Sequence, residues 1–156
     1  MVFKVLVVCT GNICRSPVAH AVLDNLVSAS DVLRNKVIID SCGTHNFHVG
    51  SIPDYRSIKV SRDNGLNIDY IKARLLDAND QAFDLILGMD KGHVATLKMQ
   101  FPDSQNKIFL FEKYAGNRNV DIEDPYYGDY EGFAKMYSQI NLAAHKLILK
   151  LENELM

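Results

Sequence analysis

Cysteine is scarce in this chain: three in 156 residues. An odd count without zinc-ligand spacing argues against a secreted disulfide framework and a structural zinc centre, and it fits a reducing, cytoplasmic compartment. An excess of one charge is also lacking. Seventeen Lys and Arg against nineteen Asp and Glu leave a net charge of −2, and there is neither a basic block nor a basic amphipathic helix. Neither nucleic acid nor an anionic membrane is therefore an expected partner. No apolar run reaches the length that spans a bilayer. The run from Val2 to Val8 is broken by Lys4 and leads into a polar loop rather than a cleavage site, so a strand is expected there, not a signal peptide. Internal repeats and low-complexity segments are missing too. The remainder, 47% hydrophobic and 23% charged, is ordinary globular composition, enough for a single domain over residues 1–156 with a sizeable core.

Against that background one stretch carries chemistry: Cys9-Thr10-Gly11-Asn12-Ile13-Cys14-Arg15-Ser16-Pro17. Val5 to Val8 has the composition of a strand buried on both faces, and it delivers Cys9 at the strand's carboxyl end. From Val18 onward, Val18, Val22 and Leu26 recur at helical spacing, and Ser16-Pro17 predicts an N-cap followed by proline at the first helical position. Gly11 and Asn12 can both adopt positive φ. A short loop of this kind before a helix can turn several backbone N–H groups inward and hold an anion, phosphate above all. A thiol at its start and a guanidinium six residues on put a nucleophile at the base of the cradle and a two-point clamp on its rim. The inward dipoles, the Arg15 charge and the Ser16 hydroxyl all favour thiolate, so Cys9 is expected to be anionic at neutral pH.

The rest of the chain alternates strand and helix. Val37 to Ile39 predicts a second strand leading into Asp40-Ser41-Cys42-Gly43-Thr44. Asp54 can cap a helix running to about Asn64, with Gly65 ending it. A helical turn is expected over Asp77–Ala82, a third strand over Phe83–Asp90, and a helix over Lys91–Met99 that Asp90 could cap. Ile108–Phe111 predicts a fourth strand. Tyr114 to Tyr130 lacks helical period, and loops of that length are usually functional. A last helix is expected over Glu131–Leu155, its apolar stripe of Phe133, Met136, Ile140, Ala143, Leu147 and Leu151 packing on a sheet. Together these elements predict an α/β fold with a parallel sheet and right-handed crossovers.

A thiol that displaces an alkoxide or phenoxide from phosphorus needs a proton donor, and the only histidine near the motif, His20, falls on the following helix. Asp121, Glu123, Asp124 and Asp129 are the candidates: clustered carboxylates raise one another's pKa, and Pro125 holds Asp124 extended. Tyr126 and Tyr127 could stack on an aryl ring. His45, His48 and His93 have no ligand spacing and are expected on the surface or in loops, so no metal or cofactor is implied.

The pattern Cys-x-Gly-Asn-x-Cys-Arg-Ser-Pro resembles the active-site loop of the low-molecular-weight protein tyrosine phosphatases, and the resemblance extends over nearly the whole chain. Departures occur at Ile71-Lys72-Ala73-Arg74 and Leu87-Gly88. The resemblance implies three layers, with a four-stranded parallel sheet in the order 2-1-3-4, helices on both faces and Cys9 at the switch point. It implies catalysis by Cys9, Arg15 and Asp124, the last chosen from the acidic cluster. It also implies phosphate and substrate contacts from Thr10, Gly11, Asn12, Ile13, Cys14, Ser16, Phe47, Tyr126 and Tyr127. An isolated loop phenylalanine such as Phe47 would otherwise be read as a core plug. Ser41 and Asp90 would join Asn12 and Ser16 in a hydrogen-bond network bracing the loop. The implied activity is a cysteine-based acid phosphatase that hydrolyses phosphotyrosine proteins and small aryl phosphates through phosphocysteine, without cofactor, as a cytoplasmic monomer that phosphate and other oxyanions inhibit. Three other functions use similar parts. An arsenate reductase needs a resolving cysteine pair, and only Cys42 lies outside the loop. Relatives acting on phosphoarginine carry threonine where this chain has Ile13. A phosphate-binding or phosphocarrier module would gain nothing from a hydrolytic acid.

Overall fold

The computed structural model describes residues Met1–Met156. Strand β1, Phe3–Cys9, runs through its centre, and Val5, Leu6, Val7 and Val8 are each 0% exposed. A strand covered on both faces has no use for polar alternation, which explains the unbroken apolar run. Its side chains divide between two cores. Val5 and Val7 join the larger, with helices α1 (Arg15–Ala29), α2 (Tyr55–Asp63), α4 (Phe111–Gly116) and α5 (Tyr130–Leu155). Leu6 and Val8 join the smaller, with Leu97 of α3 (Lys91–Gln100). The six residues of the expected α5 stripe are all buried in the larger core.

Strands β2 (Val37–Gly43), β3 (Leu85–Gly88) and β4 (Ile108–Leu110) complete an all-parallel sheet in the order β2-β1-β3-β4. The chain leaves β1 toward β2 on one side and returns to β3 on the other. The crevice beyond the carboxyl ends of β1 and β3 is thus where an open α/β sheet receives a ligand. Cys9 ends β1, and Asp90 follows β3 by two residues.

Most expected caps hold. Asp54 accepts the Arg56 N–H at 2.8 Å, Asp90 accepts the His93 N–H at 3.0 Å, and Gly65 ends α2 with φ +79°. A 3-10 turn, Ala78–Ala82, occupies the predicted helical turn. Several boundaries differ: β2 runs on to Gly43, and β3 is confined to Leu85–Gly88. β4 ends at Leu110 because Phe111 opens α4, so the irregular segment begins only at Asn117, whose φ of 59° terminates that helix. α5 starts at Tyr130 because Asp129 caps it, accepting from the Gly132 N–H at 3.2 Å. α1 begins at Arg15 with Cys14 at its N-cap. Ser16 is therefore inside the helix rather than its cap. Pro17 still lies in the first turn, where a missing N–H leaves no helical bond unmade.

Candidate active site

The loop after β1 is shaped by what surrounds it. Cys9 pairs in register with Gly43 of β2, and a Cβ on Gly43 would lie 2.6 Å from the Thr10 carbonyl oxygen. Only glycine permits that approach. Of the two residues able to turn left-handed, Asn12 alone does so, at φ 58°. Its side-chain oxygen accepts the Arg74 N–H at 3.0 Å, and its amide donates to Ser16 Oγ at 2.7 Å. The loop carbonyls are engaged from outside: Cys9 by Thr44 N–H, Thr10 by His45 N–H, Ile13 by Asp54 N–H, and Cys14 by the Ser57 hydroxyl. With these four carbonyls held from outside, the loop N–H groups are left for an anion in the cavity.

The N-terminus of α1 sharpens the point. This 15-residue helix has no side-chain cap and no acidic residue in its first turn, and Arg15, Ser16 and Pro17 are all buried. A buried helix start lacking these partners is a site prepared for an anion. Cys9 Sγ lies 3.0 Å from Ser16 Oγ. Because Asn12 already donates to that oxygen, the Ser16 proton is free to point at the sulfur. Burial, followed by the charge of Asp54, pushes the Cys14 thiol well above its ordinary range, so Cys14 stays protonated.

Arg15 is 2% exposed and its Nη1 donates at 2.8 Å to both Asp90 Oδ2 and the Ile122 carbonyl. Nη1 is thereby committed to the scaffold, while Nη2 faces Asp124, 3.6 Å from its Oδ2. Burial works against ionising Asp90. The Arg15 hydrogen bond and the His93 side chain and N–H outweigh it, leaving that carboxyl below its usual range.

The structure sorts the four carboxylates of the acidic segment. Asp121 accepts the Lys91 N–H at 2.9 Å, Asp129 caps α5, and Glu123 lines a separate hollow beside α5. Asp124 alone of the four reaches the cavity containing Cys9. Its segment is pinned by Ile122, fully buried, whose N–H donates to Met89 O at 2.9 Å and whose carbonyl accepts from Arg15. Arg56 holds the far end: it pairs with Asp54, donates to Gly128 O at 3.1 Å, and lies over the rings of Tyr126 and Phe133.

Together these parts enclose a cavity of about 270 Å³, with Cys9, Arg15 and Asp124 around it and Ile13, Phe47, Tyr126 and Tyr127 forming an apolar wall. Thr10, Gly11 and Cys14 line it as expected. Phe47 is 70% exposed and stacked on His45, a rim residue rather than a core plug.

Some expectations change. Asn12 and Ser16 do not line the cavity but lie behind it, 1% and 0% exposed, as braces of the loop. Neither Ser41 nor Asp90 joins them: the Ser41 hydroxyl bonds His20 Nδ1 at 2.8 Å, and Asp90 bonds Arg15 and His93. The expectation of surface or loop histidines fails for His93, which is 5% exposed on α3 and bonded to Thr10; His48 is in a loop, as expected, and lines the cavity above Gly11. Arg74, Ile122 and Arg56 also went unnoticed in the sequence. Only Arg74 left a signal, since it lies in the stretch that departs from the resembled pattern.

Residues 4–156 match the family model described as low molecular weight phosphotyrosine protein phosphatase. A protein of that name from Schizosaccharomyces pombe is 38% identical over 139 residues, covering 88% of this chain and 89% of its own. A protein tyrosine phosphatase from Entamoeba histolytica, solved with Hepes in its active site, superposes with a TM-score of 0.90 at 34% identity over 99% of both chains. The YwlE arginine phosphatase of Geobacillus stearothermophilus is more distant in sequence, 26% identical with a TM-score of 0.88, covering 97% of this chain and 94% of its own. This chain belongs to the low molecular weight phosphotyrosine protein phosphatase family.

Proposed function

We propose that the protein hydrolyses phosphotyrosine in proteins, and small aryl phosphates, with Cys9 as nucleophile, Arg15 as clamp and Asp124 as general acid. The convergence of these three side chains on one cavity, at a helix N-terminus bare of any cap, carries the proposal. The Cys9 thiolate attacks phosphorus in line. The S–P bond forms as the bond from phosphorus to the aryl oxygen breaks, and Asp124 protonates the departing phenolate. Arg15 Nη2 and the loop N–H groups hold the three equatorial oxygens, whose charge grows in the transition state. Asp124, now ionised, takes a proton from water as it attacks the phosphocysteine, releasing phosphate and restoring the thiolate.

Substrate choice follows from depth and wall. The sulfur lies at the base of the cradle, which a phosphoserine side chain is too short to reach, and the apolar wall suits a phenyl ring. A phosphoguanidinium would lose hydrogen bonds there that Ile13 cannot replace. An arsenate reductase relay is disfavoured, since Cys42 packs in the smaller core while Cys9 belongs to the larger, across the sheet. We further propose a cytoplasmic monomer: all three cysteines are free, the cavity is complete within one chain, and no helix is long and apolar enough to cross a membrane.

The test compares kcat/KM for matched phosphotyrosine, phosphoserine and phosphoarginine peptides in the presence of a chelator. Phosphotyrosine should be preferred and phosphate released without metal. Preference for phosphoarginine, or parity of serine and tyrosine, overturns the substrate class.

A further inference from the structure

The chemistry above leaves the buried imidazole of His93, bonded to the loop at Thr10, unused. It sits at the third position of α3, 5% exposed, and its Cβ packs where β3 has no side chain: a Cβ on Gly88 would meet it at 3.0 Å. Its Nδ1 accepts the backbone N–H of Asp90 at 3.1 Å. A backbone N–H cannot reverse its role, so Nδ1 bears no proton and the proton of the neutral ring lies on Nε2. Nε2 is 2.9 Å from Thr10 Oγ1, 83 residues away in sequence, and so donates to it. Asp90, bonded to His93 through one carboxylate oxygen, holds Arg15 through the other.

One imidazole therefore joins the residue after Cys9 to the backbone of Asp90, whose carboxylate holds Arg15. Capping alone does not call for an imidazole, since asparagine could accept the same N–H. The reach to Thr10 does. We propose that His93 is a positioning residue for hydrolysis: its Nε2–H bond to Thr10 fixes one flank of the phosphate loop relative to Arg15. The loop N–H groups and the guanidinium then meet the equatorial oxygens in one geometry. This rests on the roles given above to Cys9 and Arg15. Loosening the flank misaligns donors at the moment charge develops and should slow the chemical step more than it weakens binding.

The experiment is a pairwise cycle on the intact protein. His93→Asn keeps an acceptor for the Asp90 N–H but is too short for Thr10, and Thr10→Val removes the acceptor from the other side. Each should lower kcat for an aryl phosphate about ten-fold while KM changes less than two-fold. The double variant should lose no more than the worse single one. Thr10→Ser, which keeps the hydroxyl, should lose clearly less kcat than Thr10→Val, and this pair serves should His93→Asn not fold. Full kcat in the single variants, or losses that multiply in the double, overturns the role of His93. A parent protein that releases no phosphate tells instead against the function proposed above.

Discussion

The loop from Cys9 to Ser16 and the segment from Asn117 to Asp129 face each other across one cavity, yet they are built in opposite ways. In the first, Asn12, Arg15 and Ser16 are at most 2% exposed, and each has a side-chain partner. In the second, Ile122 is sealed in the core, but the Asp124 side chain two residues on is 46% exposed and Tyr127 is 95% exposed. The difference matches the two tasks proposed for them. Stabilising an oxyanion requires donors fixed before the charge appears. Protonating leaving groups of varied shape, and later admitting water, requires a group anchored nearby but open to solvent.

The largest effects should come from the rigid side. Cys9→Ser is expected to reduce kcat on the order of 10⁴-fold or more, while vanadate binding, followed by calorimetry, persists. Substantial turnover in that variant would remove Cys9 from the mechanism. Arg15→Lys should lose on the order of 10²- to 10³-fold, because an ammonium cannot bond Asp90, the Ile122 carbonyl and a phosphate in one plane. On the open side the effect should depend on substrate. Asp124→Ala should cost about 10²-fold or more with phenols of high pKa and far less with activated ones. A uniform loss would indicate collapse of the segment instead. Ile122→Ala tests the anchor itself. It should cost about 2–4 kcal/mol of stability by chemical denaturation and depress kcat for poor leaving groups more than for activated ones. Equal depression for both would mean that Ile122 serves the core alone.

The smallest effect is a slope in stability. Burial pushes His93 down to about 4 from the ordinary 6.5, with the Asp90 charge opposing and Arg15 adding to the shift; Asp121 and Asp124 also face it and oppose it. The unfolded chain therefore binds a proton that the folded one refuses between these values, and the stabilisation present above pH 6.5 declines as pH falls toward 4. Asp90, also depressed, contributes the same sign lower down, below its ordinary 3.8. Melting temperatures should fall from pH 7 to 4 in the parent protein and fall less steeply in His93→Asn. Parallel slopes would assign the acid sensitivity to other groups.

What was legible in the sequence was mostly local. The buried strand before Cys9, the caps at Asp54 and Asp90, the stripe of α5 and the open turn at Asn12 each follow from a few neighbouring residues, and the family resemblance supplied the strand order. Misreadings arose where a partner brought in by folding decided the matter, whether 4 residues away or 83. Ser16 has the chemistry of an N-cap, but Asn12 and Cys9 engage its hydroxyl. His93 has no meaning until α3 is folded against Thr10, and Ser41 none until α1 brings His20 beside it. Phe111 illustrates a different limit. An apolar residue after an apolar strand continues the pattern whether the chain extends or coils, and packing alone sets the boundary.

Gly43 belongs to neither side of the cavity, and no substrate atom would touch it. Even so, a methyl group there would act as a wedge under the Thr10 carbonyl and lift the cradle floor from the adjoining strand. The position amounts to a fixed shim of zero thickness. A map of ligand contacts would omit it, whereas a survey of every possible substitution should find it almost as intolerant as the sulfur it supports.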